Sequence, residues 1–152
     1  MNDTQTDNAG VLPIADMICF SVYSAGHAFN RVYKPLLDRL GVTYPQYLVL
    51  ISLWDRDDQT VGALGKALML ESNTLTPLLK RLEGMGLVSR ARDPQDERQV
   101  RVKLTDAGRA LRGEADSITM CILEATGLPI EELRDLQAKI VRLRDHLNRA
   151  AA

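Results

Sequence analysis

The segment "SNTLTPLLKRLEGMGLVSRARDPQDERQVRVKLTDAGRAL" (residues 72–111) decides the fold of this chain of 152 residues. Its first part repeats leucine at helical spacing, which predicts a helix with one buried stripe made of Leu75, Leu78, Leu79 and Leu82. A proline is tolerated only near the start of a helix. Pro77 therefore predicts that this helix begins near residues 72–74.

The second part of the segment changes from helical spacing to strict alternation. Val100, Val102 and Leu104 alternate with Arg101 and Lys103, which predicts a strand with one buried face. The turn "DPQDER" joins this strand to "LVSRAR", and together they predict a short β-hairpin. A helix–turn–helix followed directly by a basic hairpin predicts a winged helix that binds DNA.

The exposed faces of the helix and the hairpin supply candidate DNA contacts. Short polar groups open the helix and cations follow, which suits a helix whose start enters the major groove. Arg98, near the hairpin tip, can enter a narrow minor groove, and Asp96 can direct it by a charge-assisted hydrogen bond. The predicted contact residues are Ser72, Asn73, Thr74, Thr76, Pro77, Lys80, Arg81, Arg90, Asp96 and Arg98. The alternatives are a solvated helix face and a charged hairpin edge that resists aggregation.

The distribution of charge favours a polyanionic partner although the net charge is −1. Residues 80–112 hold nine basic and five acidic side chains, a local charge of +4, between flanking segments of −3 and −2. No apolar run approaches the roughly 20 residues of a membrane helix. The polar start "MNDTQTDNAG" is unlike a signal peptide, so we expect a cytoplasmic bacterial protein. Two distant cysteines and two histidines predict neither a disulfide scaffold nor a metal site, and no cofactor is expected.

The rest of the chain predicts a mostly α fold with six helices and the hairpin wing. Apolar residues at spacings of three and four mark a helix over residues 14–40, which Pro35 should break or bend. Thr43 and Pro45 mark the start of a second helix, and "VGALGKALML" (residues 61–70) predicts a short third helix before the one at residue 72. Two further helices cover residues 105–126 and 129–150. We predict a disordered tail (1–12) and one domain (13–152), in which 13–42 and 105–152 dimerise and 43–104 form the winged helix.

A cysteine and all four tyrosines are concentrated in the first third of the chain. Cys19 precedes Tyr23, Tyr33, Tyr44 and Tyr47. Cys19 and Tyr33 share a helix face but are 14 residues apart, about 21 Å on a straight helix. They can meet only if two chains cross antiparallel near Gly26, where small residues permit close approach.

The two segments together resemble a known family. Residues 72–111 resemble the winged helix of the MarR family of bacterial repressors, and "DPQDER" matches its wing pattern. "CFSVYSAGHAFNRVYKPLLDRLGVTYPQYLVLISLW" (residues 19–54) is similar to one branch, the organic hydroperoxide regulators of the OhrR type. The resemblance covers roughly residues 15–125.

The resemblance implies a redox-sensing repressor that is an obligate homodimer, not an enzyme. It implies that Cys19 senses organic hydroperoxide, that Tyr33 and Tyr44 of the other subunit donate hydrogen bonds to its thiolate, and that Cys121 resolves the oxidised thiol as an intersubunit disulfide. Oxidation would then release a near-palindromic double-stranded DNA operator.

Several alternatives stay open at this point. A repressor of the same family could be released by a small aromatic ligand, or by another oxidant such as hypochlorite or a quinone. A thiol peroxidase would consume peroxide continuously, and a protein-interaction module would never bind DNA. Cys121 could also be a bystander, with a small thiol capping Cys19 instead.

Overall fold

The computed structural model describes residues 10–152. A 3₁₀ turn at Ile14–Asp16 precedes ten elements in chain order: α1 (Ile18–Leu40), α2 (Tyr44–Asp55), β1 (Gln59–Thr60), α3 (Val61–Leu68), α4 (Ser72–Gly84), β2 (Val88–Arg92), β3 (Val100–Leu104), α5 (Asp106–Ala110), α6 (Arg112–Thr126) and α7 (Ile130–Ala150). Positions 1–9 of the predicted disordered tail lie outside the described residues. The mostly α winged-helix fold expected from the sequence is confirmed.

The predicted helix starts agree with the observed caps. The Thr43 hydroxyl accepts from the backbone N–H of Gln46, and the Gln46 side chain accepts from the backbone N–H of Thr43 at 2.9 Å. This capping box, with Pro45 in the first turn, satisfies N–H groups that have no partner inside the helix. Helix α4 begins at Ser72, as predicted.

Helices α1 and α4 each contain an internal proline, and only Pro35 differs from its prediction. Helix α1 is not broken at Pro35 and continues to Leu40. Pro35 removes one backbone hydrogen bond, but Leu37 and Leu40 beyond it are buried in the core and hold the last turn in place. Pro77 is the sixth residue of α4, which agrees with the predicted helix start near residues 72–74.

The β-sheet has one strand more than the predicted hairpin. Its order is β1-β3-β2, and β3 pairs antiparallel with both neighbours. Val88 lies opposite Leu104 and Arg92 opposite Val100, while Gln59 lies opposite Val102. Strand β1 has only two residues, too few for an alternating pattern to be recognised.

The core lies under the winged helix. Leu75, Leu79 and Leu82 of the predicted stripe on α4 are fully buried, with Val102 of β3 beside them in the same cluster. The predicted helix over residues 105–126 is divided at Leu111 into α5 and α6.

The long terminal helices expose their apolar faces. Helix α7 has no buried residue, and Ile18 of α1 and Leu147 of α7 are 65% and 60% exposed. Helices α1, α6 and α7 enclose an apolar groove of about 260 Å³ that includes Phe29 and Leu136. Apolar stripes on amphipathic helices are normally covered, which agrees with the prediction that these segments dimerise. Within residues 10–152, no helix is long and apolar enough to cross a bilayer.

Gly108 joins α5 to the start of the wing. A Cβ atom at this position would overlap the carbonyl oxygen of Leu87 and lie 3.1 Å from Cδ2 of Leu104. The close approach places α5 directly on the residue that precedes β2, so only glycine fits.

We expect Gly108→Ala to lower the free energy of unfolding by about 2 kcal/mol or more, because the added methyl group must displace backbone. Chemical denaturation at fixed protein concentration measures the change. Gly113→Ala is the matched control, since a Cβ there meets nothing within 4 Å and alanine favours the helix by up to about 1 kcal/mol. Equal effects of the two variants would contradict the close packing at Gly108.

Candidate nucleic-acid interface and thiol site

The exposed face of α4 and the hairpin β2–β3 border a common groove. The groove measures about 520 Å³ and is lined by Ser72 and Thr76 of α4, by Arg90 and Arg98 of the hairpin, and by the start of α3. Of the other predicted contact residues, Asn73, Thr74, Pro77, Lys80 and Arg81 are exposed on α4. The structure therefore brings the polar start of the helix and the tip arginine to one surface.

The wing tip is shaped by aspartate side chains that bind backbone N–H groups. The Asp96 carboxylate accepts from the backbone N–H of Arg98 at 3.1 Å and from the Gln99 side chain at 3.3 Å. Asp93 accepts from the backbone N–H of Gln95 at 2.9 Å. The expectation that Asp96 directs the Arg98 guanidinium is corrected: the carboxylate fixes the backbone of the tip, because a two-residue spacing favours a local side chain–backbone turn.

Arg90 is held against the end of α4. Its guanidinium donates to Glu83 at 3.0 Å, and its backbone N–H donates to the other Glu83 oxygen at 3.0 Å. Its Nε is buried without a hydrogen-bond partner. Arg90 therefore links β2 to the end of α4. The sequence did not predict this ion pair, because Glu83 lies seven residues before Arg90 in a different element.

The root of the wing carries a second ion-pair network. Nε of Arg101 contacts Asp58 Oδ1 at 2.7 Å, and another of its nitrogens contacts Asp93 at 3.2 Å. Lys103 Nζ lies 3.4 Å from the other Asp58 oxygen. Asp57 accepts from the backbone N–H of Leu104 at 2.8 Å. Alternation along the strand indicated that Arg101 and Lys103 are solvent-facing, but it could not indicate partners more than 40 residues away.

These contacts change the acidity of the carboxylates. Hydrogen bonding from Arg101 holds the pKa of Asp58 below its usual range, with Lys103 adding to the effect. The pKa of Asp93 is lowered by the backbone N–H of Gln95 and then by Arg101. Both aspartates are therefore ionised throughout the physiological pH range.

Three tyrosines meet where α1 ends and α2 begins. The ring centroids of Tyr33 and Tyr44 are 4.7 Å apart, and those of Tyr33 and Tyr47 are 6.2 Å apart. Tyr33 and Tyr44 border a cleft of about 260 Å³ with Asn30 and Lys34. Burial, and then the neighbouring phenols, raise the pKa of Tyr33 to about 12. Burial also raises the pKa of Tyr44, so both phenols keep their protons and remain hydrogen-bond donors.

Aromatic contacts extend from this cluster to the base of the wing. The rings of Tyr47 and Trp54 pack edge-on, with centroids 6.1 Å apart. Trp54 Nε1 donates to the carbonyl oxygen of Gly108 at 2.9 Å. Helix α2 thus carries Tyr44 and Tyr47 at one end and Trp54 at the other, followed by Asp57 and Asp58 of the wing root.

The two thiols lie on separate exposed surfaces. Cys19 is in the first turn of α1 and Cys121 is in α6, and both are free and exposed. Tyr23 and His27 follow Cys19 at four-residue intervals, with ring centroids 4.4 Å apart. Within one chain Cys19 and Tyr33 stand near opposite ends of α1, so the predicted contact between them requires a second copy.

The lowered pKa of Asp58 predicts the pH range in which its ion pair stabilises the fold. A depressed carboxyl pKa contributes stability that is complete above the unfolded value of about 3.9 and is lost as pH falls through the folded value. We expect wild type to be more stable than Asp58→Asn by a constant amount from pH 8 to about pH 5, and the difference to shrink below about pH 4. Urea denaturation of both proteins across this range measures it, and a difference that grows on acidification would contradict the ion pair.

Comparison with known proteins identifies the family. Residues 31–114 match the family described as transcriptional regulator SarA/Rot. The chain is 45% identical over 148 residues to the HTH-type transcriptional regulator TtmR of Methylorubrum extorquens, covering 97% of this chain and 76% of TtmR. It is 39% identical over 137 residues to the organic hydroperoxide resistance transcriptional regulator of Bacillus subtilis, covering 90% and 93%.

A solved structure agrees with these relatives. The structure of reduced AbfR bound to DNA superposes with a TM-score of 0.74 at 38% identity, covering 88% of this chain and 94% of AbfR. AbfR is a protein of Staphylococcus epidermidis. Disulfide-formed AbfR superposes with a TM-score of 0.62 over 90% of each chain. The matched proteins are regulators of transcription rather than enzymes. The chain belongs to the SarA/Rot and MarR family of winged-helix transcriptional regulators.

Proposed function

We propose that this protein is a homodimeric repressor that holds a near-palindromic DNA operator until organic hydroperoxide oxidises Cys19. The observation that carries the proposal is the pair of features on α1: a free, exposed thiol at its start and a cluster of protonated phenols at its end. The hydroperoxide regulator of Bacillus subtilis, similar over nine-tenths of this chain, supports the choice of oxidant.

DNA binding is assigned to the groove between α4 and the wing. The start of α4 enters the major groove while Lys80 and Arg81 meet phosphates, and Arg98 at the tip reaches the minor groove. Two copies of α4 then meet half-sites about 34 Å apart, one helical turn of DNA. The DNA-bound structure of AbfR, at 38% identity, supports DNA binding. The protein works in the cytoplasm, where its operator is.

The dimer completes the thiol site. The apolar faces of α1 and α7 are covered by the second copy, and the α1 helices cross antiparallel near Gly26, where a Cβ would meet nothing within 4 Å. This crossing brings Cys19 of one copy to Tyr33 and Tyr44 of the other. Their hydroxyl groups donate hydrogen bonds to the thiolate and stabilise the nucleophilic form.

The chemical step is a two-electron oxidation of sulfur. The Cys19 thiolate attacks the terminal oxygen of the hydroperoxide, an S–O bond forms, the O–O bond breaks, and the alkoxide leaves and takes a proton from water to become the alcohol. The product is a sulfenic acid. The Cys121 thiol of the other copy then attacks this sulfur, a disulfide forms, and the hydroxyl leaves as water.

Oxidation acts on DNA binding through α2. Loss of the thiolate removes the anion to which Tyr33 and Tyr44 donate, and the new S–S bond draws Cys19 away from them. Helix α2 carries Tyr44 at its start and precedes Asp58 of the wing root, so its displacement moves the wing. The half-site spacing is lost and the operator is released, a two-state switch driven by local chemistry.

The first test follows operator release by fluorescence anisotropy on the DNA upstream of the gene itself. Reduced wild type should release DNA near stoichiometric cumene hydroperoxide, whereas Cys19→Ser, which has no thiolate to attack the peroxide, should remain bound. Cumyl alcohol, the reduction product, is the matched control and should release neither protein.

The other outcomes of this experiment are equally informative. If both proteins release DNA with the peroxide, oxidation acts at another residue and Cys19 is not the sensor. If both remain bound, hydroperoxide is not the inducer, and release by an aromatic ligand, hypochlorite or a quinone is tested next on the same DNA.

The second test asks whether Cys121 resolves the sulfenic acid across the dimer. Cys19→Ser and Cys121→Ser subunits are mixed, exchanged and treated with cumene hydroperoxide. The heterodimer holds one Cys19 and one Cys121 on different chains, so we expect a covalent dimer on a non-reducing gel, with each homodimer as control. If Cys19 instead remains as a sulfenic acid that small thiols cap, Cys121 is a bystander.

A further inference from the structure

The ion pairs at the root of the wing point to a role for Arg101, a cation of the hairpin that the sequence analysis did not count among the DNA contacts. We infer that Arg101, held by Asp58 and Asp93, is a positioning residue that orients the wing for Arg98 and is not itself a DNA ligand. The inference rests on the proposed DNA binding and is independent of the redox switch.

All three guanidinium nitrogens of Arg101 are engaged inside the protein. Nε contacts Asp58 Oδ1 at 2.7 Å, one terminal nitrogen donates to the backbone carbonyl of Asp58, and the other donates to Asp93 at 3.2 Å. The Arg101 side chain is 32% exposed. Because fixed acceptors already bind all three nitrogens of the planar guanidinium, Arg101 has little hydrogen-bonding capacity left for a phosphate.

The two aspartates anchor different parts of the molecule. Asp58 lies between α2 and β1 with a left-handed φ of 57°, and its neighbour Asp57 binds the backbone of β3. Asp93 follows β2 directly, and its side chain is only 13% exposed. Its backbone N–H donates to the carbonyl of Gln99 and closes the tip turn. Arg101 therefore links the turn that carries Arg98 to the segment that follows α2.

The charges of the network cancel, whereas the Arg98 side chain at the tip is in no such pair. Asp58 and Asp93 offset Arg101 and Lys103, the cations they contact. Within residues 10–152, Arg98 forms no ion pair. A polyanion approaching the wing thus meets the charge of Arg98 rather than that of Arg101.

Removing the Asp58 carboxylate should change the affinity for DNA in opposite directions, depending on whether Arg101 is a DNA ligand or a positioning residue. Asp58→Asn raises the net charge by one and would free Arg101, so a DNA-ligand role predicts tighter binding. A positioning role predicts that reduced Asp58→Asn binds operator DNA several-fold more weakly, because the wing loses its anchor. Asparagine tolerates a left-handed φ, so the fold is preserved. Asp135→Asn is the control: it makes the same charge change in an exposed ion pair on α7, away from the wing, and should bind no more weakly than wild type.

A double-mutant cycle tests whether Arg101 acts through Arg98. Arg101→Met and Arg98→Met each remove a charge and keep the apolar stem. If Arg101 positions Arg98, Arg101→Met weakens DNA binding in wild type but has little effect in the Arg98→Met background. If the two losses add and each lowers the salt dependence by about one ion, Arg101 is a direct ligand and the inference is wrong.

Hydrogen exchange of the DNA-free protein tests the anchor without any operator. Asp58→Asn and Arg101→Met should accelerate exchange at residues 93–99, while Asp135→Asn should leave it unchanged. Unchanged exchange in all three variants would overturn the inference. Failure of wild type to bind DNA would count against the proposed function alone, since this readout is independent of it.

Discussion

The pairing of β3 with strands on both of its edges is the constraint on which the rest of this molecule depends. Val102 at its centre is fully buried, opposite Gln59 on one side and Arg90 on the other. The backbone of Leu104 at its end is bound by Asp57. The segment after α2, the start of the wing and the entry to α5 therefore meet along one strand, and none of them can move without disturbing that strand.

Internal pairing of charge explains how a chain with a net charge of −1 can present a cationic surface. The wing and its root contain several arginines, but Arg90 is paired with Glu83 and Arg101 with Asp58. Across residues 10–152, Lys80, Arg81 and Arg98 take part in no ion pair. The local field at the groove depends on the side chains that stay unpaired around it, these three cations among them, and the net charge of the whole chain says little about it.

The sequence predicted those parts of the fold that local chemistry determines. The helix cap at Thr43, the start of α4 and the alternating strand at Val102 each depend on residues within a few positions of one another. The missed features depend on distance along the chain: the Asp58–Arg101 pair spans 43 residues, and β1 exists because β3 offers it an edge. At Asp96 the sequence predicted a contact with Arg98, but the carboxylate accepts a hydrogen bond from the backbone N–H of Arg98 instead of from its guanidinium.

The burial of the tyrosine cluster determines how α2 can respond to the oxidation of Cys19 in the proposed switch. Since burial raises the pKa of Tyr33 to about 12, its phenol cannot give up its proton to a thiolate and stays a donor. A hydrogen bond to a charged group is worth about 1.5–3 kcal/mol, so in the proposed dimer two such donors to the Cys19 thiolate would stabilise the reduced site by about 3–6 kcal/mol. Reversing a two-state equilibrium from 1:99 to 99:1 needs about 5.5 kcal/mol. Loss of the anion at Cys19 is therefore of the size required, and α2, with Tyr44 at one end and the wing root beyond the other, is the element placed to transmit it.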